Sequence, residues 1–203
     1  DDMVSRGLGD VYKRQSGDTG EATVTSSLTF TAANWDTAQT VTVTGVDDNI
    51  IDGTQTSTIT VSIIDGISDN AFDAVADQTV SVTTTDDDVA GFTIAETEGS
   101  TGVDESGSTD IFTIVLDTQP SSDVVLSITS SDTGEATVES LIQFTSANWD
   151  TAQNVTVTGA DDGIIDGTQT STITVTVVDA ITDDDFDAVA DQTVSVTTTD
   201  DDV

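Results

Sequence analysis

The chain has 203 residues, of which 39 are Asp or Glu, 3 are Lys or Arg and none is His, which gives a formal net charge of -36. The absence of Cys and His excludes disulfides, thiol chemistry, Cys/His zinc sites and any catalytic triad or general base that depends on His. A polyanion cannot neutralise nucleic-acid phosphates or an anionic membrane surface, and no apolar run approaches the roughly 18 residues of a membrane helix, so the expected partners are cations.

Residues 1–15 differ in composition from everything that follows, because they hold all the basic side chains and the only Met and Tyr. The stretch DVYKRQ at 10–15 matches a translated transposon end from sequencing libraries, and SRGLG at 5–9 matches the adjoining adapter bases. We therefore interpret 1–15 as a non-native, adapter-derived segment rather than as a basic N-terminal arm. On this interpretation the natural N-terminus is absent from the sequence.

The rest of the chain is a tandem repeat with a period of 114 residues. SGDTGEATV at 16–24 returns as SSDTGEATV at 130–138, and only 16 of 74 aligned positions differ. We interpret 90–203 as a complete repeat and 16–89 as an incomplete one without its front strands, which should make it less stable. The chain is then a slice of a longer array.

Apolar and polar residues alternate in seven segments of the complete repeat, which predicts β-strands and no helix. The predicted strands, named A to G, are 91–95, 109–117, 122–130, 136–144, 152–159, 168–178 and 192–199. This number and spacing of strands is typical of an immunoglobulin-like sandwich without its disulfide. The predicted fold is therefore all-β, built from tandem antiparallel β-sandwich repeats.

Four aromatic side chains of the complete repeat are expected to pack in the core or at its rim. They are Phe112, Phe144, Trp149 and Phe186. The alternative for Trp149 is an exposed ring that stacks on carbohydrate.

Nine acidic residues fall in segments that an immunoglobulin-like sandwich brings to one end: the A–B, C–D and E–F connections and the end of strand G. They are Asp104, Glu105, Asp132, Asp161, Asp162, Asp166, Asp200, Asp201 and Asp202. Two carboxylates about 4 Å apart repel by about 4 kcal/mol at an effective dielectric near 20, so such a cluster favours a bound cation. Calcium takes about six to eight oxygen ligands in flexible geometry, and we predict a calcium site rather than a merely solvated acidic surface.

Four segments resemble the Calx-beta family, which includes calcium-binding domains of sodium–calcium exchangers and repeats of large bacterial surface proteins. The segments are VDESGS at 103–108, FTIVLDTQPSSDVVLSI at 112–128, FTSANWDTAQNVTVTGADDGIIDG at 144–167 and VSVTTTDDD at 194–202. The resemblance covers 90–203 and, without its front, 16–89. It implies a calcium-binding β-sandwich.

The resemblance also implies the ligands: Glu105, Asp161 with Asp162, Asp166, and Asp200 to Asp202, with Asp132 as a less secure match. Asp166 stands where exchangers carry a Glu, which gives it a shorter arm. The matching acids of the incomplete repeat are Asp47, Asp48, Asp52, Asp86, Asp87 and Asp88, and Asp18 matches Asp132.

A second acidic group lies in the predicted F–G loop, at the opposite end of the sandwich. Its members are Asp179, Asp183, Asp184, Asp185 and Asp187. Only Val89 and Ala90 separate one repeat from the next, so calcium near the junction is expected to stiffen the array into a rod. Because the incomplete repeat has Asn70 and Ala71 in the places of Asp184 and Asp185, a dedicated second site is disfavoured.

The sequence thus predicts a calcium-binding structural or adhesion repeat of a large extracellular or cell-surface protein. The expected partners are calcium ions, neighbouring repeats, and cell-surface or matrix ligands. A ligand- or carbohydrate-binding module and a non-catalytic appendage of a secreted enzyme remain open as alternatives. Catalysis within the chain is not expected, because a glycosidase-like carboxylate pair needs an aromatic-lined cleft and the chain has only nine aromatic residues.

Overall fold

The computed structural model describes residues 9–202. This part of the chain divides into two compact units: unit 1 comprises residues 9–48 and 52–86, and unit 2 comprises residues 49–51 and 87–202. The regular structure is almost entirely β-strand, which confirms the predicted all-β fold class. None of the helices within residues 9–202 is long and apolar enough to cross a membrane.

Unit 2 is a two-sheet sandwich of nine strands. The strands are β7 (Phe92–Glu96), β8 (Thr101–Asp104), β9 (Thr109–Leu116), β10 (Val124–Ser130), β11 (Ala136–Val138), β12 (Leu141–Phe144), β13 (Gln153–Gly159), β14 (Gln169–Val177) and β15 (Gln192–Thr199). One sheet has the order β11-β13-β9-β7 and the other β12-β10-β14-β15-β8. Short 3₁₀ helices cover Thr97–Gly99, Asp179–Ile181 and Asp184–Phe186.

The seven predicted strands of the complete repeat are all present, with two differences. Predicted strand D, 136–144, is two strands in different sheets, because the chain crosses from β11 to β12 at Glu139-Ser140. Strand β8 was not predicted; it has only four residues, too few for a period of two to stand out. It pairs in parallel with β15, and all other strand pairs are antiparallel.

Alternate side chains of both sheets meet in one hydrophobic core, as expected for half-buried strands. Phe112, Phe144 and Phe186 are buried in it, and Trp149 is partly buried against it. The predicted packing role of these four aromatic residues is confirmed. Thr side chains alternate with the buried Val and Ile of β14 and β15, where they cover the outer face of the sheet.

Unit 1 repeats the back part of this architecture. Its strands are β1 (Asp10–Ser16), β2 (Ala22–Val24), β3 (Ser27–Phe30), β4 (Val43–Gly45), β5 (Gln55–Ile63) and β6 (Gln78–Thr84). They form a four-stranded sheet, β3-β1-β5-β6, and a separate pair, β2-β4. Within residues 9–48 and 52–86 there is no counterpart of β7, β8 or β9.

Residues 16–89 were expected to lack strand C as well, and in this chain the place of that strand is filled by the segment before them. Residues 10–15 of the adapter-like segment, together with Ser16, form β1 between β3 and β5, in the register that β10 takes between β12 and β14. The alternation in this segment turns Arg14 and Ser16 inward, and both are buried. Without β1, the facing edges of β3 and β5 would leave backbone N–H and C=O groups unpaired. Any segment that can adopt an extended conformation can therefore pair between them. Residues 1–8 of the adapter-like segment lie outside the described residues.

Candidate metal centre

The parallel pairing of β8 with β15 brings the acidic ends of both strands to the same end of unit 2. The last pair in the register is Thr199 with Asp104, and the next backbone N–H, that of Glu105, donates to the Thr199 carbonyl at 3.1 Å. On the other sheet, Gly159 passes so close to this turn that a Cβ there would lie 1.9 Å from the Asp104 carbonyl oxygen. Glycine is therefore required at 159 for Glu105 to reach its position.

Glu105 is the central side chain of the cluster. It is 1% exposed, and both its carboxylate oxygens are buried without a hydrogen-bond partner. It belongs to two groups of acids whose ligand atoms lie within 4.8 Å of one another: one with Asp200 and Asp202, the other with Glu135 and Asp166. A carboxylate shared between two such groups can bridge two cations.

Glu135 is a candidate ligand that the sequence analysis missed. It is 7% exposed, and its Oε2 is buried without a hydrogen-bond partner. Its backbone is fixed by β11, which starts at the next residue, and by the N–H of Ala160, which donates to the Glu135 carbonyl at 2.8 Å. The signal was present in the sequence, since Glu21 precedes the matching strand of unit 1.

Asp132, the less secure match among the predicted ligands, lies in neither group. It is exposed, and its Oδ1 accepts a hydrogen bond from the Gly134 N–H at 2.9 Å. This contact closes a turn of the kind that Asp side chains commonly form. Asp132 shapes the loop that carries Glu135, and the carboxylate that enters the cluster is that of Glu135.

Backbone hydrogen bonds hold Asp200 in place. Its Oδ2 accepts from the Gly167 N–H and its Oδ1 from the Asp202 N–H, both at 2.8 Å. These bonds, that of Gly167 first, lower the pKa of Asp200 and keep it ionised. Asp202 presents a buried Oδ2 without a hydrogen-bond partner, so its free oxygen remains available to a ligand.

The electrostatics of the cluster disfavour its ionised form. Burial, followed by the negative charge of Asp200, raises the pKa of Glu105 from 4.5 to about 7. Burial and then Asp166 raise the pKa of Glu135, and burial and then Asp200 raise that of Asp202. Each of these three carboxyls lacks a positive partner that would offset its desolvation, and a cation at the cluster would supply one.

Five of the nine predicted acids lie outside the two groups: Asp104, Asp132, Asp161, Asp162 and Asp201. Hydrogen bonds from Ser106 and then Ser108 lower the pKa of Asp104, so that carboxylate is already satisfied within its own turn. Asp161 and Asp162 are exposed, but their charges contribute to the raised pKa of Asp202. They border the cluster, and their negative charges make ionisation of Asp202 less favourable.

The incomplete repeat shows only part of this arrangement. The Oδ2 of Asp86 accepts from the N–H groups of Asp52 at 3.0 Å and Gly53 at 2.7 Å, as Asp200 does from Gly167. Burial, followed by the charge of Asp52, raises the pKa of Glu21. Within the described chain, however, the acids matched to the predicted ligands fall in no group of three: Asp18, Asp47, Asp48, Asp52, Asp86, Asp87 and Asp88.

The second acidic group has a structural explanation at Asp183, the member that is buried. Asp183 is 4% exposed, and its Oδ2 accepts from the Ser121 hydroxyl at 2.8 Å and the Ser122 N–H at 2.7 Å. Its Oδ1 accepts from the Asp185 N–H at 3.2 Å. Asp183 therefore fastens the loop before β15 to the turn before β10, without need of a cation.

No family model and no curated protein matches the chain. Among solved structures, it is similar to domains 4 and 5 of the S-layer protein SbsC, with a TM-score of 0.39 and 18% identity over 97% of this chain and 74% of that one. A structure of SbsC domains 4–9 has a TM-score of 0.45 and 18% identity over 98% of this chain and 23% of that one. The endo-fucoidan hydrolase MfFcnA4 has a TM-score of 0.31 and 13% identity over 96% of this chain and 24% of that one. Similarities this low transfer neither function nor partners, and the Calx-beta resemblance stays a prediction.

Proposed function

We propose that unit 2 is a calcium-binding structural repeat of a large extracellular or cell-surface protein. The observation that carries this proposal is Glu105, a fully buried carboxylate with no hydrogen-bond partner among four other acids. A buried carboxylate without partners costs free energy that a solvated acidic surface would not. A divalent cation between the carboxylates would offset this cost.

The donor set favours calcium over other metals. The two groups offer only carboxylate oxygens, from Glu105, Glu135, Asp166, Asp200 and Asp202. Softer metals prefer nitrogen or sulfur, and magnesium retains several of its waters rather than entering an all-protein cage. Since both groups share Glu105, up to two calcium ions would be held side by side with this carboxylate between them.

Bound calcium would act on the fold by joining connections that are separate in the sequence. The ligands come from the turn after β8, the start of β11, the loop before β14 and the end of β15. Without the ion these four segments repel one another, and with it they are cross-linked. In an array of such repeats, calcium would therefore convert a self-repelling chain into a stiffer, protease-resistant one.

We infer an extracellular setting because calcium outside cells can occupy even a weak site. Extracellular calcium modules bind with dissociation constants as weak as about 10⁻⁴ to 10⁻³ M, a range that calcium outside cells saturates. Carbohydrate binding through Trp149 has less support, because this ring is partly buried against the core. Adhesion to a surface or matrix ligand remains a prediction without a residue to carry it.

Calorimetric titration of the 203-residue chain with calcium tests the proposal. We expect saturable binding of one or two ions, and at least tenfold weaker binding in Glu105→Gln, which keeps the shape of the side chain but removes its charge. Asp150→Asn is the matched control, because Asp150 is exposed and belongs to neither group. Circular dichroism of each variant checks that it is folded. An unchanged titration in folded Glu105→Gln would remove the proposed site, and equal binding of magnesium would remove the assignment to calcium.

A further inference from the structure

The dipeptide Asp-Gly occurs four times in the chain, at 52–53, 65–66, 162–163 and 166–167. It has a chemistry of its own, because the backbone nitrogen after an Asp can attack the carboxyl carbon of the Asp side chain. Glycine favours this attack, since it has no Cβ in the way and lets the backbone reach the required conformation. All eight residues are exposed, so exposure does not distinguish the four pairs.

Hydrogen bonds hold one of the two reacting groups in three of the pairs. The N–H of Gly53 donates to Asp86 Oδ2 at 2.7 Å. The N–H of Gly167 donates to Asp200 Oδ2 at 2.8 Å. In the third pair it is the carboxylate that is held, because Asp162 Oδ1 accepts from the N–H two residues further on, at 2.8 Å. These are hydrogen bonds to charged groups, and each must break before nitrogen and carboxyl can meet.

The pair Asp65–Gly66 is the exception. Among the hydrogen bonds of residues 9–202, none uses the Asp65 carboxylate or the Gly66 N–H. The turn around them is nevertheless fixed: the Ile64 N–H donates to the Val11 carbonyl at 2.9 Å, and the Ser68 N–H donates to the Ile64 carbonyl at 3.1 Å. A Cβ added at Gly66 would have no described atom within 4 Å, so the space beside this nitrogen is open. Both reacting groups are therefore free within a defined turn.

The complete repeat differs at this turn by one of these two residues. Asp179 and Ala180 stand where unit 1 has Asp65 and Gly66. They are exposed in unit 2 as well, so the exposure of this turn does not depend on the front strands. The methyl group of Ala180 hinders the attack that glycine permits. At this turn, the reactive dipeptide therefore belongs to unit 1 alone.

We propose that Asp65 is a site of spontaneous isoaspartate formation. The Gly66 nitrogen bonds to Cγ of Asp65, and its proton leaves with the hydroxyl of the protonated carboxyl as water, which gives a five-membered succinimide. A water molecule then adds to one of the two imide carbonyls and breaks the bond of that carbon to nitrogen. Opening at the main-chain carbonyl leaves the peptide bond on the side chain, so the backbone gains one methylene while the mass returns to its original value.

The expected effect is a difference in rate between pairs of identical sequence. In the folded chain, Asp65 should isomerise about tenfold faster than Asp52 or Asp166, or more, because the glycine N–H of those pairs must first leave a carboxylate. In urea these hydrogen bonds are lost, and the rates should converge. The inference does not rest on calcium binding, since Asp65 belongs to neither three-acid group.

The test is incubation of the 203-residue chain at physiological temperature and neutral pH, with and without urea. Mass spectrometry of proteolytic peptides, with electron-transfer fragmentation, distinguishes isoaspartate from aspartate at equal mass. Gly66→Ala copies the residue of unit 2 into open space and should slow Asp65 to the rate of Asp179. The reciprocal variant, Ala180→Gly, should raise the rate at Asp179 towards that of Asp65.

A further variant tests the protective role of the hydrogen bond. Asp86→Ala removes the acceptor of the Gly53 N–H and should raise the rate at Asp52 towards that of Asp65. The exposed Asp87 provides the matched control, and Asp87→Ala should leave Asp52 unchanged. The rate at Asp65 should be the same in both variants, which checks that unit 1 stays folded.

Three results would overturn the inference. Equal rates at Asp52, Asp65 and Asp166 in the folded chain would show that hydrogen bonding of the glycine N–H gives no protection. Isoaspartate at Asp65 in urea only would show that the turn holds nitrogen and carboxyl apart. An unchanged rate at Asp65 in Gly66→Ala would show that the unhindered nitrogen of glycine is not what makes this site react.

Discussion

Units 1 and 2 have nearly the same sequence over 74 aligned positions and yet form strands of different length. In unit 2, β13 runs for seven residues between β11 and β9. In unit 1, β4 has three residues and pairs only with β2. Val155 of β13 is 1% exposed, whereas the identical Val41 is 36% exposed and lies before β4. The extent of a strand here depends on a neighbour that is distant in the sequence.

The same comparison separates local from assembled parts of the candidate metal centre. The contact of Asp200 with Gly167 has a close equivalent in unit 1, that of Asp86 with Gly53, because it forms within nearly identical sequence. The two three-acid groups occur only in unit 2 of the described chain, and both depend on Glu105, which enters on the turn after β8. Turns can form in an incomplete repeat, but the candidate cation site depends on Glu105, which the front strands position.

The largest difference in stability between the units should appear when the equivalent glycines, Gly159 and Gly45, are replaced. Gly159→Ala places a methyl group 1.9 Å from the Asp104 carbonyl oxygen, so the backbone of the turn or of β13 must shift. We expect a loss of about 3 kcal/mol or more in the free energy of unfolding of unit 2, at the upper end of overpacking effects. Urea unfolding followed by tryptophan fluorescence measures it, because Trp149 is partly buried in unit 2 and the other Trp, Trp35, is already 71% exposed.

Gly45→Ala is the matched control, since its added Cβ has only the Thr84 Cγ2 as a close neighbour, at 3.8 Å. We expect a change within about 0.5 kcal/mol, as for surface substitutions. Hydrogen exchange of β2 and β5 measures the stability of unit 1. A loss in Gly45→Ala as large as that in Gly159→Ala would show that both glycines serve backbone conformation rather than a close approach.

Much of the fold could be predicted, because the strands of the complete repeat alternate Thr with Val or Ile and are separated by Asp-Gly and Pro-Ser turns. The exceptions have physical reasons. Strand β8 owes its existence to parallel pairing with β15, which no local pattern encodes. Residues 10–15 were left out of the fold prediction because of their adapter-like origin. Formation of β1, however, depends only on whether these residues can pair with β3 and β5.

The acidic cluster could be predicted in outline but not in all its members. Topology indicates which loops meet, and Glu105, Asp166, Asp200 and Asp202 do come together. The connection between β10 and β11 carries two acids, Asp132 and Glu135, and the turn that Asp132 closes decides which of them points inward. The sequence does not show this turn, so Glu135 was missed. Asp104 was included for its charge, although Ser106 and Ser108 already satisfy it.

A smaller effect is expected from Arg14, which occupies in β1 the place of Ile128 in β10. Arg14 is 4% exposed, and its Nε is buried without a hydrogen-bond partner. Arg14→Ile removes this unsatisfied group and restores the apolar residue of unit 2. We expect unit 1 to gain about 1 to 3 kcal/mol, measured as slower hydrogen exchange in β1, β3 and β5.

Lys13→Ser is the control for this substitution, because Lys13 is exposed and Ser127 stands at the same place in unit 2. It should leave the exchange rates of unit 1 unchanged. Since Arg14 also donates to the Thr25 hydroxyl at 3.0 Å, a loss of stability in Arg14→Ile would show that its hydrogen bonds outweigh the burial of the guanidinium.

The last prediction concerns pH, which should distinguish unit 2 by the sign of its effect on stability. The folded-state pKa of Glu105, about 7, lies above its usual 4.5, so between these values the folded state holds a proton that the unfolded state has released. Without calcium, the free energy of unfolding of unit 2 should therefore fall as pH rises from 4.5 to 7 and level off above it. Saturating calcium should reverse the trend, because the ion binds the deprotonated carboxylate.

Glu105→Gln should weaken the pH dependence of stability both with chelator and with calcium. Urea unfolding at pH 5, 6 and 7 under these two conditions provides the measurement. A stability that rises with pH in chelator would show that Glu105 is ionised without a cation, and that the buried carboxylate has a partner other than calcium.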